Sequence, residues 1–206
     1  MYWHRFFVWL LDELFPRACL GCKQEGIDAC DRCLRSLPIK PVWVKFDGLS
    51  VWSAYDYNES GVGRYIQAWK YRGVQHFLHS WLAMIPWPDC EADIVIAVPL
   101  HKRKLLERGF NQAELIASAL AVRFGLPISK AHRRRFTKPQ ALCDGEERRR
   151  NVKRAFAVEA ASIAGKRVVL VDDVVTTGST LQELAAVLRA AGARDIRAIC
   201  LARGGK

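Results

Sequence analysis

Apolar and polar positions fall into blocks that read alternately as strands and helices. Residues 93–98 (DIVIAV) form a continuous apolar run closed by Pro99, as in a strand covered on both faces of a parallel sheet. Residues 51–57 (VWSAYDY) predict another strand. Over 111–124 the apolar residues Leu115, Ile116, Ala119, Leu120 and Phe124 recur at helical spacing. Asn111 is placed to cap that helix, Glu114 follows as in a capping box, and Gly125 is placed to end it. Phe77, Leu78, Trp81, Leu82 and Ile85 predict a helix over 75–85. Residues 60–70 predict a helix leading into Lys70-Tyr71-Arg72-Gly73. Val168–Val171 is again apolar throughout, Leu181, Leu184, Ala185 and Leu188 follow as a helical stripe stopped by Gly192, and residues 196–202 (IRAICLA) read as a last strand. Strands alternating with helices imply an α/β fold, a parallel sheet flanked by helices. The opening, MYWHRFFVWLLDELFP, predicts a short amphipathic helix ended by Pro16. Its apolar stretch Phe6–Leu11 is broken by Asp12 and Glu13, too short for a bilayer span or a signal peptide.

Between the apolar run at 168–171 and the helical stripe lie two acids, Asp172 and Asp173, then Thr176, Thr177, Gly178, Ser179 and Thr180. A strand thus feeds a hydroxyl-rich loop that opens a helix, and a helix N-terminus with unsatisfied N–H groups suits a phosphate. Ser179 or Thr180 is positioned to cap it. Carboxylates beside a bare phosphate would repel it. They fit a ligand that also offers hydroxyl donors or Mg²⁺, which prefers oxygen ligands shared with phosphates. Phosphate, diol and Mg²⁺ together describe a phosphorylated ribose. The segment VVLVDDVVTTGST resembles the phosphoribosyl pyrophosphate (PRPP) signature of type I phosphoribosyltransferases. The resemblance implies that the acids contact the ribose hydroxyls and that the Thr176–Thr180 loop holds the 5′-phosphate.

Pro99, Leu100, His101, Lys102 and Arg103 follow the DIVIAV strand. Parallel sheets bind ligands at the carboxyl ends of their strands. These residues therefore predict a cationic loop on the same rim, suited to pyrophosphate, with Arg108 as a further anion contact.

Cys19, Cys22, Cys30 and Cys33 make two CxxC pairs seven residues apart. Four thiolates in such pairs can surround one Zn²⁺. The gap is polar turn material, and so small a module hardly folds without a metal or cross-links. Two disulfides are the alternative, disfavoured in reducing cytosol. With four thiolates the role is structural. The remaining cysteines, Cys90, Cys143 and Cys200, are scattered.

Net charge is +11 over 206 residues, which suits polyanionic partners. Residues 132–154 hold nine Lys or Arg against three acids, a net of +6, so over half the excess sits in one segment. Arg133, Arg134 and Arg135, with Phe136 beside them, are candidates for single-stranded nucleic acid, as are Lys70, Tyr71 and Arg72.

Several motifs occur in one order: FP-x2-CxxC, a second CxxC, WKYRG, VPLHKRKLLERGFNQAELIA, Gln140…Glu147-Arg148…Asn151-Val152…Ala155-Phe156, and the PRPP signature. Jointly they resemble the ComF/GntX family from about Phe15 to Ala202. That resemblance implies a type I phosphoribosyltransferase fold with an N-terminal zinc module. On it the chain divides into residues 1–45, the leading helix and zinc module, and residues 46–206, the phosphoribosyltransferase-like domain. It also implies a cytoplasmic role in natural transformation, handling incoming single-stranded DNA with competence partners such as a DNA-uptake helicase, or in the use of DNA as a nutrient. The alternatives are an active phosphoribosyltransferase, moving ribose 5-phosphate from Mg²⁺–PRPP to a nucleobase or amine, and a PRPP sensor without chemistry. In the active form residues 137–150 would cover the reaction and exclude water. No residue is assigned as general acid or base.

Overall fold

The computed structural model describes residues 17–72, 76–133 and 156–205. In chain order the elements are α1 (Asp31–Arg35), β1 (Val42–Phe46), β2 (Leu49–Asp56), α2 (Val62–Arg72), α3 (Leu78–Ala83), β3 (Ile94–Ala97), α4 (Lys102–Arg108), α5 (Gln112–Phe124), β4 (Ile128–Ser129), β5 (Ala131–Arg133), β6 (Phe156–Val158), α6 (Ala160–Ile163), β7 (Arg167–Val175), α7 (Ser179–Ala190) and β8 (Asp195–Arg203). They group into two compact units. One comprises Met1–Pro38 with Asn58–Ile85, so α2 and α3 group with the cysteine segment; the other comprises Ile39–Tyr57 with Pro86–Lys206.

The second unit holds a six-stranded sheet in the order β1-β2-β8-β7-β3-β4. Every pairing is parallel except β1 with β2. This is the mostly parallel α/β architecture that the strand–helix alternation predicts. Its core strands are apolar runs for the expected reason: Val168–Val171, Ile94–Ile96 and Ala198–Ala202 are all buried. Leu181, Leu184, Ala185 and Leu188 of α7 pack into the same core cluster. At the opposite end from the loops, Asp93 accepts the Arg167 backbone N–H at 2.8 Å and pairs with its guanidinium at 2.9 Å. That charge-assisted contact holds the Asp93 carboxyl down at about 2 and ties the starts of β3 and β7 together.

Several elements differ from expectation. A strand over 42–46 was not anticipated. It pairs with β2 through a two-residue turn, Asp47-Gly48, with both residues at positive φ (45° and 80°). That is the twist-matched hairpin geometry that Asp-Gly favours. The stripe over 75–85 yields a helix only over 78–83, with Phe77 at its N-cap. The basic stretch after Pro99 forms α4 instead of a loop. β7 runs on past the two acids to Val175. Asn111 caps α5, accepting the Ala113 N–H at 3.1 Å, and Gly125 closes it in the left-handed region. The box with Glu114 is inverted: the Asn111 amide donates to Glu114 at 3.1 Å and to the Val98 carbonyl at 3.1 Å. The expected leading helix, the loop 137–150, Arg134, Arg135 and Phe136 lie outside the described residues. Among the described residues, no helix is long and apolar enough to cross a membrane.

Candidate ligand site and cysteine cluster

β3 and β7 are parallel neighbours, and the Val98 N–H donates to the Val171 carbonyl at 2.8 Å. The segments that leave their carboxyl ends therefore start side by side. From β7 come Asp172 and Asp173, then the hydroxyl loop. From β3 come Pro99, Leu100 and His101, with Lys102 and Arg103 forming the first turn of α4.

The acids are shaped by their own backbone. Asp172 Oδ1 accepts the N–H of Asp173 at 2.8 Å, and Asp173 Oδ1 accepts that of Val174 at 2.7 Å. Asp173 is buried, whereas Asp172 is partly exposed. Each carboxylate is thus fixed by the backbone near the carboxyl end of β7. Beneath them Cys200, opposite Asp172 in the β7–β8 ladder, is fully buried. Burial first, then the two acids, push its thiol well above the usual range, so it stays a neutral, inert group.

The loop that follows exposes Thr176 and Thr177. Thr177 Oγ1 stands 3.1 Å from Ser179 Oγ and accepts the Ser179 N–H at 3.4 Å. The N-cap of α7 is Gly178 and not Ser179 or Thr180, so the N-cap residue itself supplies no side-chain bond. A glycine takes that place because φ is +73°, and because a Cβ would come within 2.6 Å of the Phe46 ring. The first turn of α7 therefore opens directly from the hydroxyl loop, with Thr177 Oγ1 on the N–H of Ser179, and a helix N-terminus of this kind favours an anion. Gly178→Ala should cost about 1–2 kcal/mol for the left-handed backbone alone, with the ring overlap added. Denaturant unfolding of Gly178→Ala, Phe46→Ala and the double variant tests this. The double variant should be more stable than the sum of the single losses predicts, and strict additivity would show that the ring exerts no constraint.

On the other segment, His101 caps α4 and accepts the Arg103 N–H at 3.3 Å. Arg103 pairs with Glu107 along the exposed helix face at 3.0 Å, a contact of small energetic weight. A cavity of about 490 Å³ opens beside this segment. Pro99, Leu100 and Lys102 line it on one side, Asn111 and Glu114 on another, and His132 and Arg133 of β5 on a third. Cations thus converge on the predicted pyrophosphate side, and Arg133 adds one from a segment distant in sequence. The Arg133 guanidinium lies 5.3 Å over the Phe156 ring, and its buried Nε has no hydrogen-bond partner. Arg108 donates to Gln112 Oε1 at 3.2 Å. Lys70, Tyr71 and Arg72 form the last turn of α2 in the other unit, where Tyr71 is exposed.

In that unit the four cysteine sulfurs lie within 4.8 Å of one another. Cys30 Sγ is 3.8 Å from both Cys19 Sγ and Cys22 Sγ. A disulfide requires about 2.05 Å, so these are free thiols. Four sulfurs at about 2.3 Å from one tetrahedral ion would stand roughly 3.8 Å apart. The sulfurs also already accept backbone N–H groups: that of Cys30 on Cys19 at 3.4 Å, and that of Cys33 on Cys30 at 3.4 Å. Burial works to raise the Cys19 pKa, but the N–H groups of Cys22, Cys30 and Gly21 together outweigh it and hold the thiol at about 6. Cys33 is pushed up to about 12, first by its hydrogen bond with Cys30 and then by burial. Four crowded thiols cannot all ionise by themselves, but a cation would let them. The cluster therefore fits a metal.

Residues 105–206 match the family model for the phosphoribosyl transferase domain. A curated relative in Escherichia coli O157:H7, "DNA utilization protein YhgH", is 40% identical over 54% of this chain and 49% of its own length. "Competence protein F" of Haemophilus influenzae is 38% identical over 54% of this chain and 50% of its own. The chain spans about half the length of the curated relatives it matches. Among solved structures, the "structure of the allosteric regulatory enzyme of purine biosynthesis" aligns over 55% of this chain and 22% of its own, at 24% identity and a TM-score of 0.41. The sheet, the two adjoining loops and the matched domain define a phosphoribosyltransferase-like protein with an N-terminal four-cysteine cluster. Through relatives named for competence, the chain resembles the ComF family.

Proposed function

We propose that this protein is a competence or DNA-utilisation factor built on a PRPP-binding scaffold, and that it handles incoming single-stranded DNA in the cytoplasm. The adjacency of the Asp172-Asp173 hydroxyl loop and the Pro99–Arg103 segment on neighbouring parallel strands carries the PRPP reading. Asp172 and Asp173 take the ribose diol, Thr176–Thr180 and the α7 N-terminus take the 5′-phosphate, and the cationic side takes the pyrophosphate. Mg²⁺, if bound with the ligand near Asp172 and Asp173, would offset the pyrophosphate charge. The cysteine cluster holds one structural Zn²⁺, for which the sulfur spacing is suited. The free thiols at Cys90 and Cys200 accord with a reducing compartment.

The DNA half rests on the names of the relatives and on the positive charge of residues 132–154. Lys70, Tyr71, Arg72, Arg108, Arg133, Arg134, Arg135 and Phe136 are the candidate contacts. Single-stranded DNA should bind without sequence preference and lose affinity steeply between 50 and 200 mM salt, because released counterions drive such binding. Reversing Arg133, Arg134 and Arg135 to Glu should lower the affinity and reduce the salt slope by about 2, at roughly 0.7 per phosphate. Binding that stays flat with salt and survives the triple reversal would leave the charge as solvated surface. The uptake helicase is the partner class to test by co-purification.

A second reading is an active transferase, favoured by the cavity beside the pyrophosphate segment. There, a nucleobase or amine attacks the anomeric carbon of PRPP as pyrophosphate leaves. Pyrophosphate release measured against a panel of nucleobases decides it; no release with any acceptor leaves binding without chemistry.

A further inference from the structure

Helix α2 grips the first cysteine knuckle with two consecutive residues. Arg64 Nη1 donates to the carbonyl of Leu20 at 2.8 Å, inside Cys19-Leu20-Gly21-Cys22. Tyr65 is 2% exposed, its ring held by Phe77 and Trp81 at 5.7 and 6.0 Å between centroids. Its hydroxyl oxygen is fully buried and lacks a hydrogen bond of proper geometry. That oxygen faces the sulfurs. A Cβ on Gly21 would lie 2.7 Å from Cys33 Sγ and 2.9 Å from Tyr65 Oη, so both atoms border the same small space. Gly21 has an ordinary φ; it is glycine there for want of room.

A buried hydroxyl without an acceptor is costly, and a neutral thiol is a weak acceptor. A metal-bound thiolate is a charged one and forms a stronger bond. We propose that Tyr65 is a positioning residue of the metal centre: once an ion displaces the thiol protons to solvent, its O–H donates to a thiolate of the cluster, Cys19 or Cys33. Arg32, whose guanidinium meets Cys22, adds a cation to the same sulfurs. One hydroxyl and one guanidinium then share the negative charge that four thiolates leave on a divalent ion. Outer partners of this kind orient the ligands and tune the metal. The same helix ends in Lys70-Tyr71-Arg72, so metal loading sets the seat of a helix that carries a candidate nucleic-acid contact.

The inference rests on the reading that the cluster holds zinc, and metal analysis of the wild-type protein tests that reading separately. Tyr65→Phe keeps the ring among Phe77 and Trp81 and removes only the hydroxyl. It should bind zinc about 10- to 100-fold more weakly. In the cobalt-substituted protein its sulfur-to-metal charge-transfer band should move to lower energy, because the sulfur loses a donor; ring packing alone would not move that band. If Tyr65→Phe does not fold, the wild-type protein loaded with cadmium should show a slowly exchanging Tyr65 hydroxyl proton by NMR that vanishes on chelation. A metal-loaded wild type whose Tyr65→Phe variant matches it in band and affinity overturns the inference, as does a loaded wild type with no protected hydroxyl proton. Wild-type protein without metal overturns the zinc reading instead.

Discussion

Asp172→Asn combined with Asp173→Asn should lower the affinity for Mg²⁺–PRPP by a factor on the order of 10² to 10⁴. Each carboxylate accepting from a ribose hydroxyl contributes about 1.5–3 kcal/mol as a charged hydrogen bond, and about 1.4 kcal/mol is tenfold in affinity. Asn is the informative replacement because each acid also accepts the N–H of the next residue. Ala would orphan those N–H groups and confound a lost ligand with a loosened strand end. Asn keeps an oxygen for the backbone and removes the charge. Calorimetry with and without Mg²⁺ reads the result. Unchanged affinity in the double variant would mean that the acids face something other than the ribose.

Cys22→Ser should cost the cysteine unit most of its stability. Structural zinc supplies about 10–16 kcal/mol of apparent binding free energy in small zinc-finger peptides near neutral pH, far more than any side-chain contact in this unit. Cys22 is exposed, so its own packing contributes little and the loss acts through the ion. Chelating wild-type protein should reproduce the loss of thermal stability, and lowering the pH should release the metal because the ligands must be deprotonated. PRPP binding should persist at temperatures where the other unit is still folded. Matching melting curves for Cys22→Ser, chelated and untreated protein would mean that no ion resides there.

What was legible in the chain was local. Two CxxC pairs must bring four sulfurs close, and an apolar run followed by acids, hydroxyls and a helical stripe must place those groups at a strand end. Contacts between distant segments were not legible. Tyr65 lies more than thirty residues from Cys33, and nothing around it in the sequence marks it; only the buried hydroxyl beside Gly21 does. Arg133 could be read as a surface cation, but its place beside Lys102 depends on β5 folding back to that segment. The hairpin at 42–56 does carry a local signal, Asp47-Gly48 between apolar stretches. The apolar run alone stops short of the acids, yet β7 continues through them because it stays paired with β8 as far as Val175 opposite Arg203. The helix after His101 was missed because seven mostly charged residues show no apolar period.

The ring of Phe46 against Gly178 gives the hydroxyl loop a wall on one side. A loop resting on a wall can be displaced only away from it, so any adjustment on ligand entry falls to Thr176 and Thr177, which are exposed. The wall belongs to an edge strand placed by the tight turn at Asp47-Gly48 and meets the loop at Gly178, which carries no side chain. Residues 46–48 can therefore set how far the loop moves while leaving each of its hydroxyl and N–H groups intact, as a doorstop sets how far a door opens.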